Sequence, residues 1–155
     1  MSENNLSIKR NFAVTYNKVA DDLWSAYAEL NDEQHNIMTR LDISIPNLTI
    51  RDASIIFNKK PMEQCQEISE KAKCLIGVSI IHDLTTTLNE LFVGADGCPN
   101  IRSLFGISGP GFIYVYYPQL IKEGKYTHQE WWKMAATELK DECIAHKRLS
   151  EKYSK

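Results

Sequence analysis

The hydrophobic pattern of this chain changes its period at Asn58-Lys59-Lys60, and this change constrains the fold more than any other feature of the sequence. Before it, apolar residues alternate with polar ones, which is typical of strands with one buried face. After it, apolar residues recur every three or four positions, which is typical of amphipathic helices. Strands followed by helices, rather than alternating with them, indicate an α+β protein.

Four runs in the first part of the chain predict β-strands. Short polar connections separate the runs, and Pro46-Asn47 is a clear break. Strands joined by short links usually pair antiparallel, so we expect an N-terminal antiparallel β-meander of about four strands with one face covered. The four runs are Asn11–Tyr16, Leu23–Leu30, Ile37–Ile45 and Ile50–Phe57.

Four to five helices are predicted after the sheet, packed on one of its faces. The first lies between Pro61 and Gly77, which suit a helix start and a helix stop. A second follows Asp83, which is placed to cap it, and a third begins at Pro99.

The stretch between Pro99 and the end of the chain is harder to interpret. Gly106–Gly111 is rich in glycine and predicts a turn, whereas residues 112–120 fit either a buried helix or a buried strand. Thr127-His128-Gln129-Glu130 has the form of a capping box. It predicts the start of a last helix that runs to about Tyr153.

Length and composition fit one domain over residues 1–155, with residues 1–9 as a disordered tail. The formal net charge of −2 gives no electrostatic reason to expect binding to nucleic acid or to an anionic membrane. The N-terminus does not resemble a signal peptide, and no apolar stretch is long enough to span a bilayer. We therefore expect a cytoplasmic protein whose four cysteines are thiols or ligands rather than disulfides.

The strongest chemical signal in the sequence is Gly97-Cys98-Pro99. Glycine permits a tight turn and proline suits the first turn of a helix, so Cys98 is predicted at or near an N-cap. A thiol at that position faces the positive end of the helix dipole, which favours its thiolate form.

One hypothesis is a metal-binding or assembly protein in which three cysteines converge. Cys65 lies on the apolar stripe of its predicted helix, so it is expected to face the core, and Cys143 and His146 share a stripe of the last helix. With Cys98 they would supply three thiolates, and His146 or Asp96 would be the fourth ligand. Such a donor set suits zinc or an iron–sulfur cluster.

The alternative interpretation of these cysteines is packing, since free cysteines are among the most buried residue types. Their spacing matches no known metal-binding signature, and the chain has no Cys-x-x-Cys. Cys74 is out of phase with the apolar stripe and is expected to be exposed.

A second hypothesis is a thiol enzyme in which Cys98 is the nucleophile. His82, which is followed by an aspartate that could orient it, and His146 are the candidate bases. His35 and His128 are interpreted as surface residues, in a turn and in a first helical turn.

A third hypothesis is a binding module with structural cysteines. The aromatic run Phe112–Tyr117 would then face a hydrophobic small-molecule ligand, or a protein partner such as a second copy in a homodimer. A plain aromatic core explains the same residues.

Several short motifs occur in an informative order. They are Arg10–Val14, Ala28–Asp32, Ile50, Pro61 with Cys65, Leu75–Gly77 and Gly97-Cys98. This order resembles an uncharacterised bacterial family, domain of unknown function 2889. The resemblance covers roughly Arg10–Phe105, with a looser fit beyond.

The resemblance implies a role for Cys65, Cys98 and a late cysteine such as Cys143, but no established activity. The family typically follows its Gly-Cys with a small residue and a histidine. This chain has Pro99 and Asn100 there, which argues against a histidine-dependent role of the loop. The order of elements is also similar to the iron–sulfur scaffold proteins of the IscU/NifU type, a similarity of fold that does not by itself imply function.

Overall fold

The computed structural model describes residues 5–153, which form an antiparallel sheet followed by helices. The strands are β1 (Asn11–Ala20), β2 (Leu23–Asn31), β3 (Asn36–Ser44) and β4 (Thr49–Lys59). After a 3₁₀ segment (Glu63–Leu75), the helices are α1 (Leu84–Phe92), α2 (Pro99–Gly111), α3 (Ile113–Lys122), α4 (His128–Thr137) and α5 (Ile144–Tyr153). The predicted α+β class is confirmed.

Of the predicted N-terminal tail, residues 1–4 lie outside the described part of the chain. Residues 5–9 are exposed and have no regular secondary structure. Within residues 5–153, no helix combines the length and the apolar character needed to cross a bilayer.

The four strands pair in chain order, each antiparallel to the next, as the meander prediction requires. Buried and half-buried residues alternate along β3, and Leu41 stands opposite Ala26 and Ala53 on its two neighbours. All three are fully buried, so the core face of the sheet follows directly from the period of two in the sequence.

The opposite face of the sheet carries a cluster of charged side chains. Arg40 Nη2 donates to Asp52 Oδ2 over 2.7 Å, and Lys73 Nζ of the 3₁₀ segment donates to the other carboxylate oxygen of Asp52 over 2.7 Å. These contacts hold the carboxyl pKa of Asp52 below its ordinary value, with the Lys73 hydrogen bond as the largest cause.

The 3₁₀ segment and the loop after it cover part of the β4 edge. Gly77 N–H donates to the Ile50 carbonyl over 2.7 Å, and Ile50 N–H donates to the Val78 carbonyl over 3.0 Å. Gly77 has a φ of +86°, a conformation that glycine adopts without strain, so its predicted role as a stop is confirmed.

The start of α2 at Pro99 is confirmed, but the predicted turn at Gly106–Gly111 is wrong because helix α2 runs through it. A Cβ added to Gly109 would lie 2.2 Å from Leu84 Cδ2 of α1. The glycine therefore serves close packing against the Leu84 side chain, a role that turn chemistry does not reveal. Asp83 precedes α1 as predicted, although its side chain makes no capping hydrogen bond.

By its internal contacts the chain divides into two compact units, residues 1–110 and residues 111–155. This division by contacts does not test whether the chain folds as one domain, so the single-domain organisation stays a prediction. The second unit contains α3, α4 and α5, and residues 113–122 are helical rather than extended. The capping box is confirmed, because Glu130 N–H donates to Thr127 Oγ1 and Thr127 N–H donates to Glu130 Oε2.

The predicted single last helix is wrong, since residues 138–143 interrupt it between α4 and α5. In a continuous helix the Leu139 carbonyl would accept from residue 143. It accepts instead from Glu142 N–H over 3.1 Å, and His146 Nδ1 lies 3.1 Å from the same oxygen. This tight turn removes Cys143 from the helix that carries His146.

A tight loop joins α1 to α2 and depends on the absence of a side chain at Gly97. Cys98 N–H donates to the Phe92 carbonyl over 3.0 Å, which draws the start of α2 against the end of α1. A Cβ on Gly97 would lie 2.1 Å from that carbonyl oxygen. Backbone atoms cannot yield as a flexible side chain can.

We expect Gly97→Ala to lower the free energy of unfolding by about 1–3 kcal/mol, the range found for overpacked sites. Gly106→Ala is the matched control, because its Cβ would meet only Arg102 Nη1 at 3.6 Å. It should raise stability by about 0.5–1 kcal/mol, as alanine does in a helix interior. Urea unfolding measures both, and equal stability of the two variants would contradict the role of Gly97.

Candidate functional site

The first unit contains a cavity of about 700 Å³ between the β2–β3 turn, the 3₁₀ segment and the loop that leads into α2. Apolar residues such as Ile37, Phe57 and Ile68 form part of its wall. A mostly preformed cavity with a few convergent polar groups is the usual form of a small-molecule site. The chemically active lining residues are His35, Cys65, Glu67, Lys71, Asp96, Cys98 and Asn100.

Cys98 stands at the start of α2, as the sequence predicts. Its carbonyl accepts the first helical hydrogen bond, from Arg102 N–H over 3.0 Å. Pro99 has no N–H, so the backbone N–H groups of Asn100 and Ile101 are first-turn donors without intrahelical acceptors. The half-buried Cys98 thiol therefore lies beside the positive end of the α2 dipole on the cavity wall.

Cys65 lines the same cavity and is half-buried, rather than buried in the core as expected. Its segment is a 3₁₀ helix with about three residues per turn, which brings Cys65, Ile68 and Lys71 onto one face. That face borders the cavity and leaves Cys65 half-buried. The exposed position expected for Cys74 is confirmed.

Lys71 fixes the loop that carries Asp96 and Gly97. Its Nζ donates to the Leu91 carbonyl over 3.1 Å and to the Asp96 carbonyl over 2.5 Å. Both acceptors are neutral, so the ammonium brings a positive charge to the cavity wall, which also carries the carboxylates of Glu67 and Asp96.

Four polar side chains from three distant parts of the chain form a closed ring at the cavity edge, which we call the Arg10 ring. Arg10 donates to Asp32 Oδ2 through Nε and to Asn100 Oδ1 through Nη2, each over 2.7 Å. His35 Nδ1 lies 2.9 Å from Asp32 Oδ1, and His35 Nε2 lies 3.3 Å from Asn100 Nδ2. His35 and Asn100 are the two members that line the cavity.

The Arg10 ring was missed by the sequence analysis, which placed His35 on the surface of a turn. The turn is real, because Asp32 Oδ1 also accepts from the N–H groups of Gln34 and His35. His35 is nevertheless only 19% exposed. The available signal was an aspartate that starts a turn with a histidine three positions later, a spacing that brings the two side chains together.

The other predicted site residues lie elsewhere. His82 is in the turn before α1, and it does not line the cavity. Cys143 and His146 belong to the second unit, where Cys143 is exposed and His146 is buried. Within residues 5–153, no group of three or more His, Cys, Asp or Glu side chains is arranged to hold a metal ion. The structure thus brings Cys65, Asp96 and Cys98 to one cavity, and metal binding stays a prediction.

The aromatic run Phe112–Tyr117 contributes to the packing of the second unit. The Tyr117 ring centroid lies 5.2 Å from that of Trp131 and 5.1 Å from that of Tyr126, and burial raises the Tyr117 pKa to about 12. Tyr114 stacks on His146 with centroids 6.2 Å apart. These contacts agree with an aromatic core, and a hydrophobic ligand near the run stays a prediction.

Asp32 makes the stability of the fold sensitive to acid. The Arg10 guanidinium, together with His35 and two backbone N–H groups, holds the Asp32 carboxyl pKa well below its ordinary value of 3.8. The carboxylate therefore stabilises the folded state above about pH 3.8, and that contribution is lost as the pH falls towards the folded-state pKa.

We expect the difference in free energy of unfolding between wild type and Asp32→Asn to be constant above about pH 5 and to shrink below pH 3.8. Urea unfolding at several pH values measures it. Asp22→Asn, which removes an exposed partner of Arg51, is the control and should leave the acid dependence nearly unchanged. A difference for Asp32→Asn that stays constant down to pH 3 would contradict the role of the ring.

Comparison with known families agrees with the division into two units. A family model described as a protein of unknown function (DUF2889) matches residues 8–110, which include the sheet, the cavity and the whole Arg10 ring. Cys143 and His146 lie beyond the matched residues. No curated protein and no solved structure matches the chain significantly. Because the match covers more than half of its 155 residues, the chain belongs to the DUF2889 family.

Proposed function

We propose that the cavity of the first unit binds a small electrophilic substrate and that Cys98 is its nucleophile. The observation that supports this most directly is the position of Cys98, which lines the cavity at the first turn of α2. A thiol in a partly enclosed, electropositive setting is the usual arrangement of a reactive cysteine.

Groups of both signs line the cavity, and the positive ones near Cys98 support this proposal. The dipole of α2 and the Lys71 ammonium both contribute positive potential on the side of Cys98. In the reaction, the sulfur electron pair forms a bond to an electrophilic carbon, the leaving group departs with the electrons of its own bond, and the thiol proton passes to solvent.

His82 and His146, the bases suggested by the sequence, do not line the cavity. His35 does, but both of its ring nitrogens have partners within the Arg10 ring. We therefore propose a nucleophile that relies on stabilisation of its thiolate rather than on a paired histidine base.

Iodoacetamide labelling followed by peptide mass spectrometry tests this role. We expect Cys98 to react roughly tenfold faster than Cys74 at pH 7, although Cys74 is the more exposed. The comparison is internal, since both thiols are in the same molecule. Equal or slower labelling of Cys98 would contradict the proposal, and unfolding in urea should abolish the difference.

A second proposal follows from the presence of two thiols at one cavity. Cys65 and Cys98 are soft donors for zinc or an iron–sulfur unit, and Asp96 is a further oxygen donor on the same wall. Tetrahedral zinc takes four ligands, so this proposal needs donors beyond the two thiols. The hypothesis drawn from the sequence names Cys143 and His146 as these further ligands.

Elemental analysis and absorption spectra of protein purified without oxygen test the metal proposal. We expect stoichiometric zinc or iron that is lost in Cys65→Ala and in Cys98→Ala and retained in Cys74→Ala, the control. Metal-free wild-type protein that also binds none when supplied would contradict the proposal.

A further inference from the structure

We propose that Asn100 binds the carbonyl oxygen of the substrate, which makes the substrate of this cavity an acyl compound such as an ester, thioester or amide. The inference rests on the proposed role of Cys98 and adds the chemical class on which it acts. It comes from the hydrogen-bond directions that the Arg10 ring imposes.

Arg10 fixes which way the Asn100 amide faces. A guanidinium carries donors only, so the Asn100 atom 2.7 Å from Arg10 Nη2 must be the acceptor oxygen. The amide nitrogen then faces His35, at 3.3 Å from Nε2. A flipped amide would place two donors against each other at Arg10.

The same logic fixes the proton on His35. Since Asn100 Nδ2 can only donate, His35 Nε2 must accept and carries no proton. The ring proton lies on Nδ1, from which it is donated to Asp32 Oδ1 over 2.9 Å. Asp32 in turn accepts from Arg10, so each of the four residues has one consistent role.

One amide proton of Asn100 is not used within the Arg10 ring. Asn100 Nδ2 carries two protons, and His35 takes one of them. Within residues 5–153, the other proton has no acceptor, and Asn100 is half-buried on the cavity wall, two positions after Cys98.

A fixed N–H donor that lines the same cavity as a nucleophile suits a carbonyl oxygen. When the Cys98 thiolate adds to a carbonyl carbon, that oxygen becomes an oxyanion, which a preorganised donor stabilises more than it stabilises the starting carbonyl. Asn100 would therefore be a catalytic residue, with Arg10 and His35 as its positioning residues.

Two reagents for the same sulfur separate this role from general reactivity. With p-nitrophenyl acetate, the Cys98 sulfur bonds to the acetyl carbon and p-nitrophenolate leaves with the electrons of the broken C–O bond. With iodoacetamide, the sulfur displaces iodide at a methylene carbon and no oxyanion forms. Peptide mass spectrometry of full-length protein gives both rates at Cys98.

We expect Asn100→Ala to slow acetylation of Cys98 by about 100-fold, as loss of an oxyanion donor does, while alkylation stays within about twofold. Asn89→Ala is the matched control, because Asn89 Oδ1 accepts from Arg102 just as Asn100 Oδ1 accepts from Arg10, but Asn89 does not line the cavity. It should change neither rate.

Different results would contradict the role of Asn100 and the role of Cys98. Equal changes in both rates, or no change in either, would overturn the role of Asn100 while leaving Cys98 as a nucleophile. Cys98 that reacts with neither reagent faster than Cys74 in wild type would overturn the proposed function itself.

Nitrogen-15 NMR of the His35 ring provides an independent test. At a pH where the ring is neutral, wild type should show the tautomer with its proton on Nδ1, where the Asp32 carboxylate accepts it. A proton on Nε2 in wild type would overturn the amide orientation on which the inference depends.

Discussion

The approach of Gly97 to the carbonyl oxygen of Phe92 is the contact on which the site depends. A Cβ at that position would lie 2.1 Å from the oxygen, so only glycine allows the chain to turn there. The turn lets Cys98 N–H satisfy the same carbonyl, which joins the end of α1 to the start of α2. The positions of Cys98 and Asn100 on the cavity wall follow from that junction.

The Arg10 ring then connects this junction to the sheet. Its members are separated by up to 90 positions in sequence, yet each makes hydrogen bonds with two others. Buried or half-buried polar side chains are stable when their hydrogen bonds are satisfied, and a ring satisfies several at once. The ring also gives Asn100 one orientation, because a guanidinium can only donate.

Much of the fold could be predicted from the sequence because it depends on local periodicity. The alternation in Ile37–Ile45 and the proline at position 99 are local signals, and the structure follows them. The turn predicted from the glycines of 106–111 is wrong because Gly109 is needed for close packing against the Leu84 side chain of another helix. The interruption after α4 was not predicted. It depends on the Leu139 carbonyl, which accepts from Glu142 N–H and lies against His146 Nδ1 instead of continuing the helix.

The candidate site could be predicted only in part. Cys98 was identified because the adjacent Gly97 and Pro99 are themselves a local signal for the start of a helix. His35 was not identified, because its role depends on Asn100 and Arg10, and nothing near position 35 indicates those contacts. The position of Cys65 was also not predicted, because residues 63–75 form a 3₁₀ helix that places Cys65 on the cavity wall.

The placement of all these residues before position 111 has a consequence for biosynthesis. The sheet, the cavity lining and the Arg10 ring all lie within residues 10–100. The second unit begins at residue 111 and supplies none of them. Compact units generally fold one after another as the polypeptide leaves the ribosome, with the N-terminal unit first. The order of translation therefore allows the thiol at position 98 to reach its cavity while residues 111–155 are still being made.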